Sequence, residues 1–184
     1  DLAVKQRDAG VALADKLWGL AELGYLEYQS SAELQSYLAK HGFAVESGVG
    51  GIPTAFVATF RSGTEVGAGP VVALLAEFDA LPGLNQAAVP FRQITEERAA
   101  GHACGHHLFG AASASAAVAL SQWLLDSKVN ATIKLVGTPA EEGGSGKVYL
   151  ARAGVFDGVD VVLHWHPGDA NSASPSSTTS NKSG

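Results

Sequence analysis

The sequence predicts an α/β domain in which helices cover a mostly parallel β-sheet. Short continuous apolar runs, typical of strands buried on both faces of a parallel sheet, recur at Val71–Ala76 and at residues 133–137. Segments with helical apolar spacing separate these runs, and such alternation is typical of α/β folds. With 184 residues, of which 46% are hydrophobic and 16% charged, the chain can build one globular core.

Two amphipathic helices are predicted at the start of the chain. The first spans about residues 3–23, and its apolar stripe consists of Val4, Val11, Leu13, Leu17, Leu20 and Leu23. The second is expected to be capped by Ser30, with Glu33 completing a capping box. Its buried face contains Leu34, Tyr37 and Leu38, and it ends at Lys40, His41 and Gly42.

The remaining elements alternate between strands and helices. Strands are predicted at residues 43–45, 54–60, 71–76, 133–137 and 160–164, and helices at residues 107–126 and 147–153. Serines and Gln122 interrupt the apolar part of residues 107–126, which predicts a buried helix and no transmembrane span. Residues 1–170 are assigned to one metal-binding catalytic domain. Residues 171–184, rich in Ser, Thr and Asn, are assigned to a hinge or tail.

Composition narrows the range of functions. The net charge of −6, without clustered Lys and Arg, predicts no nucleic-acid partner. A single cysteine, Cys104, excludes an internal disulfide and hence a disulfide-stapled secreted domain. The first residues lack a basic region followed by an apolar core, so we expect no signal peptide, no membrane association and a cytoplasmic location.

Potential metal ligands and acids follow each predicted core strand. Glu77-Phe78-Asp79 follows one strand, Glu141-Glu142 the next, and His164-Trp165-His166 the last. The segment Gly101-His102-Ala103-Cys104-Gly105-His106-His107 opens the long helix. Because ligands bind at the carboxyl ends of strands in open α/β sheets, these clusters are expected to meet at one edge.

The pattern Cys104-Gly105-His106 places a thiolate and an imidazole two residues apart, with a glycine that lets both reach one centre. An isolated cysteine is more often a small buried hydrophobe, but the flanking histidines favour metal binding. His102 and His107 are interpreted either as groups that support the ligands or as ordinary residues at a helix start.

The remaining candidates also have plain structural interpretations. Adjacent acids such as Glu141 and Glu142 usually lie on a solvated loop, yet in a metal site one can bind the cation while the other takes a proton. One of His164 and His166 could be a core histidine. Asp79 could cap a turn or orient a ligand histidine. The glycines after Glu142 do not form a phosphate-binding loop, because Glu141 and Val148 occupy positions that the motif reserves for Gly and Ser or Thr.

Four motifs in this order resemble the aminoacylase and glutamate-carboxypeptidase family of metallopeptidases, and within it the amidohydrolase subfamily. They are Ala21-Glu22-Leu23-Gly24-Tyr25 with Glu27, Asp79-Ala80-Leu81-Pro82, His102-Ala103-Cys104-Gly105-His106 and Pro139-Ala140-Glu141-Glu142-Gly143. The segments 137–147 and 165–168 are most similar to the branch of aminobenzoyl-glutamate utilisation protein B-like hydrolases. The resemblance implies the N-terminal part of a zinc-peptidase-like catalytic domain.

The resemblance also implies roles for individual residues. Cys104, His106, Glu142 and His166 would be metal ligands, Glu141 the general base, and Asp79 the acid that orients the centre. One or two divalent transition metals are implied, Zn or Mn foremost and Ni or Co as alternatives. His107 departs from the pattern, because many members of the subfamily have Asp at this position.

The family has a lid and dimerisation domain, followed by a return to the catalytic domain that supplies a further His ligand. None of this is present in the 184 residues. We therefore expect the chain alone to have little or no activity, and the full-length protein to dimerise through the lid.

The predicted function is metal-dependent hydrolysis of an amide bond between an acyl or aroyl group and an amino acid. Two alternatives remain open at this stage. The domain could be a non-catalytic binding module that keeps the fold, or a hydrolase in which Cys104 is the nucleophile.

Overall fold

A five-stranded mixed sheet organises the chain, and the computed structural model describes residues 1–63 and 69–170 of it. The helices are α1 (Leu2–Lys5), α2 (Arg7–Leu20), α3 (Tyr28–Lys40), α4 (His106–Ser127), α5 (Glu141–Gly144) and α6 (Gly146–Arg152), with a 3₁₀ turn at Val49–Gly51. The strands are β1 (Ala44–Ser47), β2 (Phe56–Ser62), β3 (Val71–Ala76), β4 (Leu81–Pro82), β5 (Ala100–Gly101), β6 (Ala131–Gly137) and β7 (Val161–Leu163).

The order of the strands in the main sheet is β1-β2-β6-β3-β7. Strands β6, β3 and β7 are parallel, and Leu74 of β3 lies opposite Leu135 on one side and Leu163 on the other. Strands β1, β2 and β6 pair in antiparallel fashion. The α/β class is thus confirmed, and the parallel arrangement holds in the half of the sheet whose strands lead into the predicted ligands.

Alternate residues of the central strands pack against two separate layers. Leu74 and Leu135 face a core built with α2, α3 and α4, whereas Leu75 and Val136 face a smaller core around the Val49–Gly51 turn and α6. Each fully buried large apolar side chain stabilises the fold by roughly 1.5–3 kcal/mol. Among the described residues, α4 is the one helix whose length and composition would suit a membrane span. Half of its most apolar window is buried, as in a core helix.

The start of α3 differs from the prediction. The helix begins at Tyr28, and Ser30 and Glu33 form no capping box. Instead the Glu22 carboxylate accepts hydrogen bonds from the backbone N–H of Gln29 (3.1 Å) and of Ser30 (2.7 Å). An anion there complements the partial positive charge of a helix N-terminus, so a carboxylate from the preceding segment replaces the local cap. Glu33 instead pairs with Lys16.

Element boundaries shift by a few residues elsewhere. The single helix predicted over about residues 3–23 is divided at Gln6 into α1 and α2, and it ends at Leu20 because Ala21 adopts a left-handed backbone conformation (φ 42°). Strand β2 begins at Phe56 and not at residue 54, because a turn closed by the Ala55 N–H to Ile52 O bond precedes it. The small β4–β5 sheet and the long connection within it were not predicted. The predicted tail, residues 171–184, lies outside the described residues.

Candidate metal centre

The predicted ligands meet at the carboxyl ends of β3, β6 and β7, as expected for an α/β sheet. Glu77 and Asp79 follow β3, Glu141 and Glu142 follow β6, and His166 follows β7. The first residue of α4, His106, points into the same region. Two groups of three side chains place their ligand atoms within 4.8 Å of one another: Cys104 with His106 and His166, and Glu77 with His106 and Glu141.

His106 is the central residue of the cluster and is fully buried. Its Nδ1 lies 2.9 Å from Asp79 Oδ1 and 3.1 Å from the Asp79 backbone oxygen. Both partners accept hydrogen bonds only, so Nδ1 carries the proton and donates it. The other nitrogen, Nε2, is therefore available as a ligand atom, which is the arrangement that carboxylate–histidine pairs create in metal sites.

Three carboxylates surround His106 Nε2. The nearest oxygen of Glu77 lies at 2.9 Å, that of Glu141 at 3.9 Å and that of Glu142 at 4.0 Å. Within the described part of the chain, neither His106 Nε2 nor Glu142 Oε1 makes an aligned hydrogen bond, although both atoms are buried. Buried lone pairs that face one another are costly unless a proton or a cation lies between them.

His166 presents the same kind of nitrogen from the other side. Its Nδ1 donates to the backbone oxygen of Pro167 (2.9 Å), and its Nε2 lies 3.4 Å from Cys104 Sγ. Gly105 makes this approach possible, because its φ is +82° and a Cβ there would lie 3.1 Å from Pro167 Cγ. The glycine between the two predicted ligands thus has the role that its spacing predicted.

The electrostatics of the cluster favour a positive charge. Burial alone would lower the pKa of His106, but the Asp79 carboxylate that accepts from it and the nearby charge of Glu77 outweigh burial and raise the pKa to about 10. Burial, together with Glu142, Glu141 and Glu77, raises the pKa of the Cys104 thiol to about 12. A cation would stabilise both the crowded acids and a thiolate.

Asp79 also connects the histidine to the acidic turn. Its Oδ1 accepts from His106, and its Oδ2 accepts from the backbone N–H of Glu142 at 2.8 Å. The carboxylate thus fixes the relative position of a ring and a loop that are 36 residues apart in the sequence. This agrees with the orienting role expected for Asp79.

His102 and His107 lie outside the ligand cluster. His102 Nε2 donates to the Leu17 backbone oxygen (3.1 Å), and His107 packs edge-on against Trp18. Burial is the main cause that lowers the pKa of each histidine to about 4. His164 lies at the margin of the cluster, with Nε2 3.4 Å from Glu77 Oε1.

Sequence reasoning missed the role of Glu77 and its pairing with Lys147. The sequence marks Glu77 only as part of a segment after a strand, yet it is almost fully buried beside His106 and also contacts Lys147 and His164. Burial would raise the pKa of Glu77, but His106, His164 and Lys147 together lower it well below its usual range. The available signal was its position directly after a strand buried on both faces, where an ionised acid requires partners.

Comparison with known proteins decides the family. The model of peptidase family M20/M25/M40 matches residues 73–178, more than half of the chain. The chain belongs to this peptidase family. The matched segment contains every ligand candidate of the M20 chain named above.

Relatives of the M20 chain include hydrolases of small amides. It is 44% identical over 158 residues to one of the subunits of the p-aminobenzoyl-glutamate hydrolase of Escherichia coli K12, covering 84% of this chain and 31% of that protein. It is 36% identical to the mouse Xaa-Arg dipeptidase, covering 88% of this chain and 36% of that protein. The chain therefore spans about a third of the length of these relatives.

Solved structures support the same assignment. A Bacillus subtilis dinuclear metal-binding peptidase of the M20 family, YxeP, superposes with a TM-score of 0.74 at 25% identity, covering 88% of this chain and 43% of that one. A putative aminohydrolase from methicillin-resistant Staphylococcus aureus superposes with a TM-score of 0.75 at 27% identity, covering 89% of this chain and 40% of that one.

Proposed function

We propose that this M20 chain is the metal-binding part of a metal-dependent amidohydrolase. The observation that carries the proposal is the pair of histidine Nε2 atoms, in His106 and His166, that face Cys104 and three carboxylates. In each histidine Nδ1 lies against an oxygen acceptor, so Nε2 is the ring nitrogen that a metal would bind, and a cation there would replace the proton that the surrounding acids otherwise hold on His106.

The donor set fits a divalent transition metal. Cys104 offers sulfur, the two histidines offer nitrogen, and Glu77, Glu141 and Glu142 offer oxygen. This mixture of ligands suits Zn or Mn, with Ni or Co as alternatives, and it is rich enough for one or two ions. When bound, such a metal supplies Lewis-acid chemistry, lowering the pKa of water and polarising a carbonyl.

The two adjacent glutamates differ in exposure. The Glu142 side chain is 20% exposed and its backbone is held by Asp79, whereas the Glu141 side chain is 44% exposed. We assign proton transfer to Glu141, which can accept a proton from water and return it to the leaving amine. Glu142 is assigned to cation binding, in agreement with the roles that the sequence resemblance implies.

The proposed substrate is an amide that joins an acyl or aroyl group to an amino acid. The 44% identical relative is part of a p-aminobenzoyl-glutamate hydrolase, and a more distant one from Bacillus subtilis, 30% identical, is an N-acetyl-L-cysteine deacetylase. Dimerisation of the full-length protein through a lid domain is part of the same proposal. The cytoplasmic location, the absence of nucleic-acid and membrane partners, and the low activity of this chain alone stay predictions.

A cysteine-nucleophile mechanism has less support. The acidic surroundings and burial that raise the pKa of Cys104 to about 12 disfavour the free thiolate that such a mechanism needs. His166 Nε2, 3.4 Å from Sγ, could take the thiol proton, but burial and the nearby Glu142, Glu141 and Glu77 disfavour the thiolate that would result. Inactivation of the enzyme by alkylation, without any effect of chelators, would favour the cysteine-nucleophile mechanism.

Elemental analysis of the purified chain beside the Cys104→Ala variant tests the proposal. We expect about one or two equivalents of transition metal in the wild type and a clear loss in the variant. An equal metal content in both would remove Cys104 from the ligand set. No metal in either after reconstitution with Zn or Mn, in this chain and in the full-length protein, would favour a non-catalytic binding module.

A further inference from the structure

One connecting segment contacts both acidic turns of the proposed metal centre. We infer that residues 21–27, between α2 and α3, form a positioning clamp that fixes the Asp79–Ala80 turn and the Ala140–Gly144 turn relative to each other, with Glu27 as its principal residue. The effect of the clamp on metal affinity rests on the proposed function. The clamp itself can be measured in the metal-free chain. Glu27 is a positioning residue, because its carboxylate contacts no residue of the ligand cluster among those described.

The first half of the clamp holds the turn after β3. The Ala80 backbone N–H donates to the Glu22 oxygen at 2.8 Å, and Leu23 forms a parallel bridge with Ala80. Ala80 is buried and adjoins Asp79, the acid that orients His106. Backbone contacts from the clamp thus fix the position from which Asp79 reaches the histidine.

The second half of the clamp holds the turn after β6 through a buried charge. Glu27 is fully buried, and its Oε1 accepts from the Ala140 backbone N–H at 2.8 Å. Its Oε2 accepts from the Thr54 hydroxyl at 2.9 Å. Burial raises the pKa of Glu27 overall, and interactions with its own backbone, the Thr54 hydroxyl and the backbones of Ala140 and Tyr25 oppose this rise, so the carboxylate depends on all of these groups.

Ala140 needs such support because its backbone is left-handed. Its φ is +56°, a conformation that residues with a Cβ rarely adopt without restraint from their surroundings. This turn sets the direction in which the next two residues, Glu141 and Glu142, leave the sheet. The Glu27 carboxylate accepts from the Ala140 N–H and so holds the residue whose left-handed backbone begins the turn.

Two further contacts close the clamp on the same loop. A Cβ on Gly24 would lie 3.0 Å from Ala140 Cβ and 3.1 Å from Ala140 Cα, so the glycine allows a close approach of the backbones. The Tyr25 hydroxyl donates to the Gly144 backbone oxygen. The loop that carries both glutamates is therefore held at its start and at its end by neighbouring residues of one segment.

The experiment compares two substitutions of Glu27 in this chain. Glu27→Met removes the acceptor while keeping a similar length. Glu27→Gln keeps an oxygen that can accept from Ala140 and gains an N–H that can donate to the Thr54 oxygen. Two controls match the loss of general stability: Leu124→Ala and Val118→Ala each open a cavity on the buried face of α4, away from the clamp.

Two measurements are made on each protein. Hydrogen exchange by mass spectrometry reports the protection of amides 140–146 in the metal-free chain. A Co²⁺ titration, followed by the absorption that a cobalt–thiolate bond gives, reports the affinity of the centre. Loss of a residue that orients metal ligands lowers metal affinity by about 10–100-fold.

We expect Glu27→Met to speed exchange at residues 140–146 and to lower Co²⁺ affinity at least about tenfold. Glu27→Gln is expected to stay within about threefold of the wild type, and both controls to retain Co²⁺ affinity. Wild-type exchange at residues 140–146 in Glu27→Met, or an equal affinity loss in Leu124→Ala, would overturn the inference. A wild-type chain that binds no Co²⁺ would count against the proposed function, and the exchange data would still decide the clamp.

Discussion

The three histidines of residues 101–107 have opposite surroundings: those of His106 differ from those of His102 and His107. His106 lies between Asp79 and Glu77, and these acids raise its pKa to about 10. His102 and His107 lie against a helix carbonyl and Trp18, and burial lowers the pKa of each to about 4. The acidic side of the segment suits a cation, whereas the aromatic side keeps its imidazoles neutral.

The comparison shows that sequence proximity to a ligand does not confer its role. His106 and His107 are adjacent, yet at the start of a helix their side chains point about 100° apart, since one turn contains 3.6 residues. One ring therefore reaches the strand ends and the other reaches α2. Four predictions test whether the two sides differ as described.

The largest effect is expected from His106→Gln. The substitution removes the central nitrogen and leaves the buried Glu77 and Asp79 without their shared partner. We expect bound metal to fall below detection in elemental analysis. The metal-free chain should lose about 3 kcal/mol of unfolding free energy, because buried acids lose a partner. Retention of stoichiometric metal would show that His106 is not a required ligand and that the remaining groups of the cluster hold the metal without it.

Asp79→Asn should have the next largest effect. An amide can present an N–H to His106 Nδ1, which disfavours the tautomer that leaves Nε2 free. We expect metal affinity to fall by about 10–100-fold, measured by competition with a chromophoric chelator. Unchanged affinity would show that the backbone oxygen of Asp79 alone sets the tautomer.

His102→Leu should change stability and leave metal binding intact. The variant removes one of the two hydrogen bonds that the buried Leu17 oxygen accepts, the other coming from the Ala21 backbone N–H. We expect a loss of about 1–2 kcal/mol in urea unfolding. The same metal content as the wild type is expected, and any fall in metal content would place His102 in the centre after all.

His107→Gln is expected to have the smallest effect. The ring contacts Trp18 and His102 by edge and tilted packing, interactions that contribute about 0.5–1.5 kcal/mol. We expect at most about 1.5 kcal/mol of lost stability and unchanged metal affinity. A larger loss of metal than of stability would indicate that a polar residue at position 107 supports the ligand histidine next to it.

Much of the fold follows from apolar patterning. Val71–Ala76 forms a strand with the predicted boundaries, because an uninterrupted apolar run suits a strand buried on both faces. In the predicted cluster, His166 follows the parallel strand β7, and Cys104 and His106, at the start of α4, meet it at the same edge of the sheet.

Non-local partners explain what could not be predicted. The cap of α3 comes from Glu22, which precedes the helix by six residues, so a local capping motif could not reveal it. Glu77 resembled an ordinary acid after a strand, since its partners Lys147 and His164 are at least 70 residues away. The antiparallel pairing of β1, β2 and β6 was not predicted, because an apolar run in the sequence does not indicate the direction of its strand.

The central position of β6 has a consequence for how the chain folds. Strands β2 and β3 are consecutive in the sequence, yet β6 lies between them and pairs with both. Until residues 131–137 have been synthesised and inserted, the two earlier strands have no shared neighbour to align them. Contacts of such large sequence separation form slowly, because loop closure must precede them. The chain is therefore expected to complete its sheet late in synthesis, and the acids at the strand ends can meet only after that step.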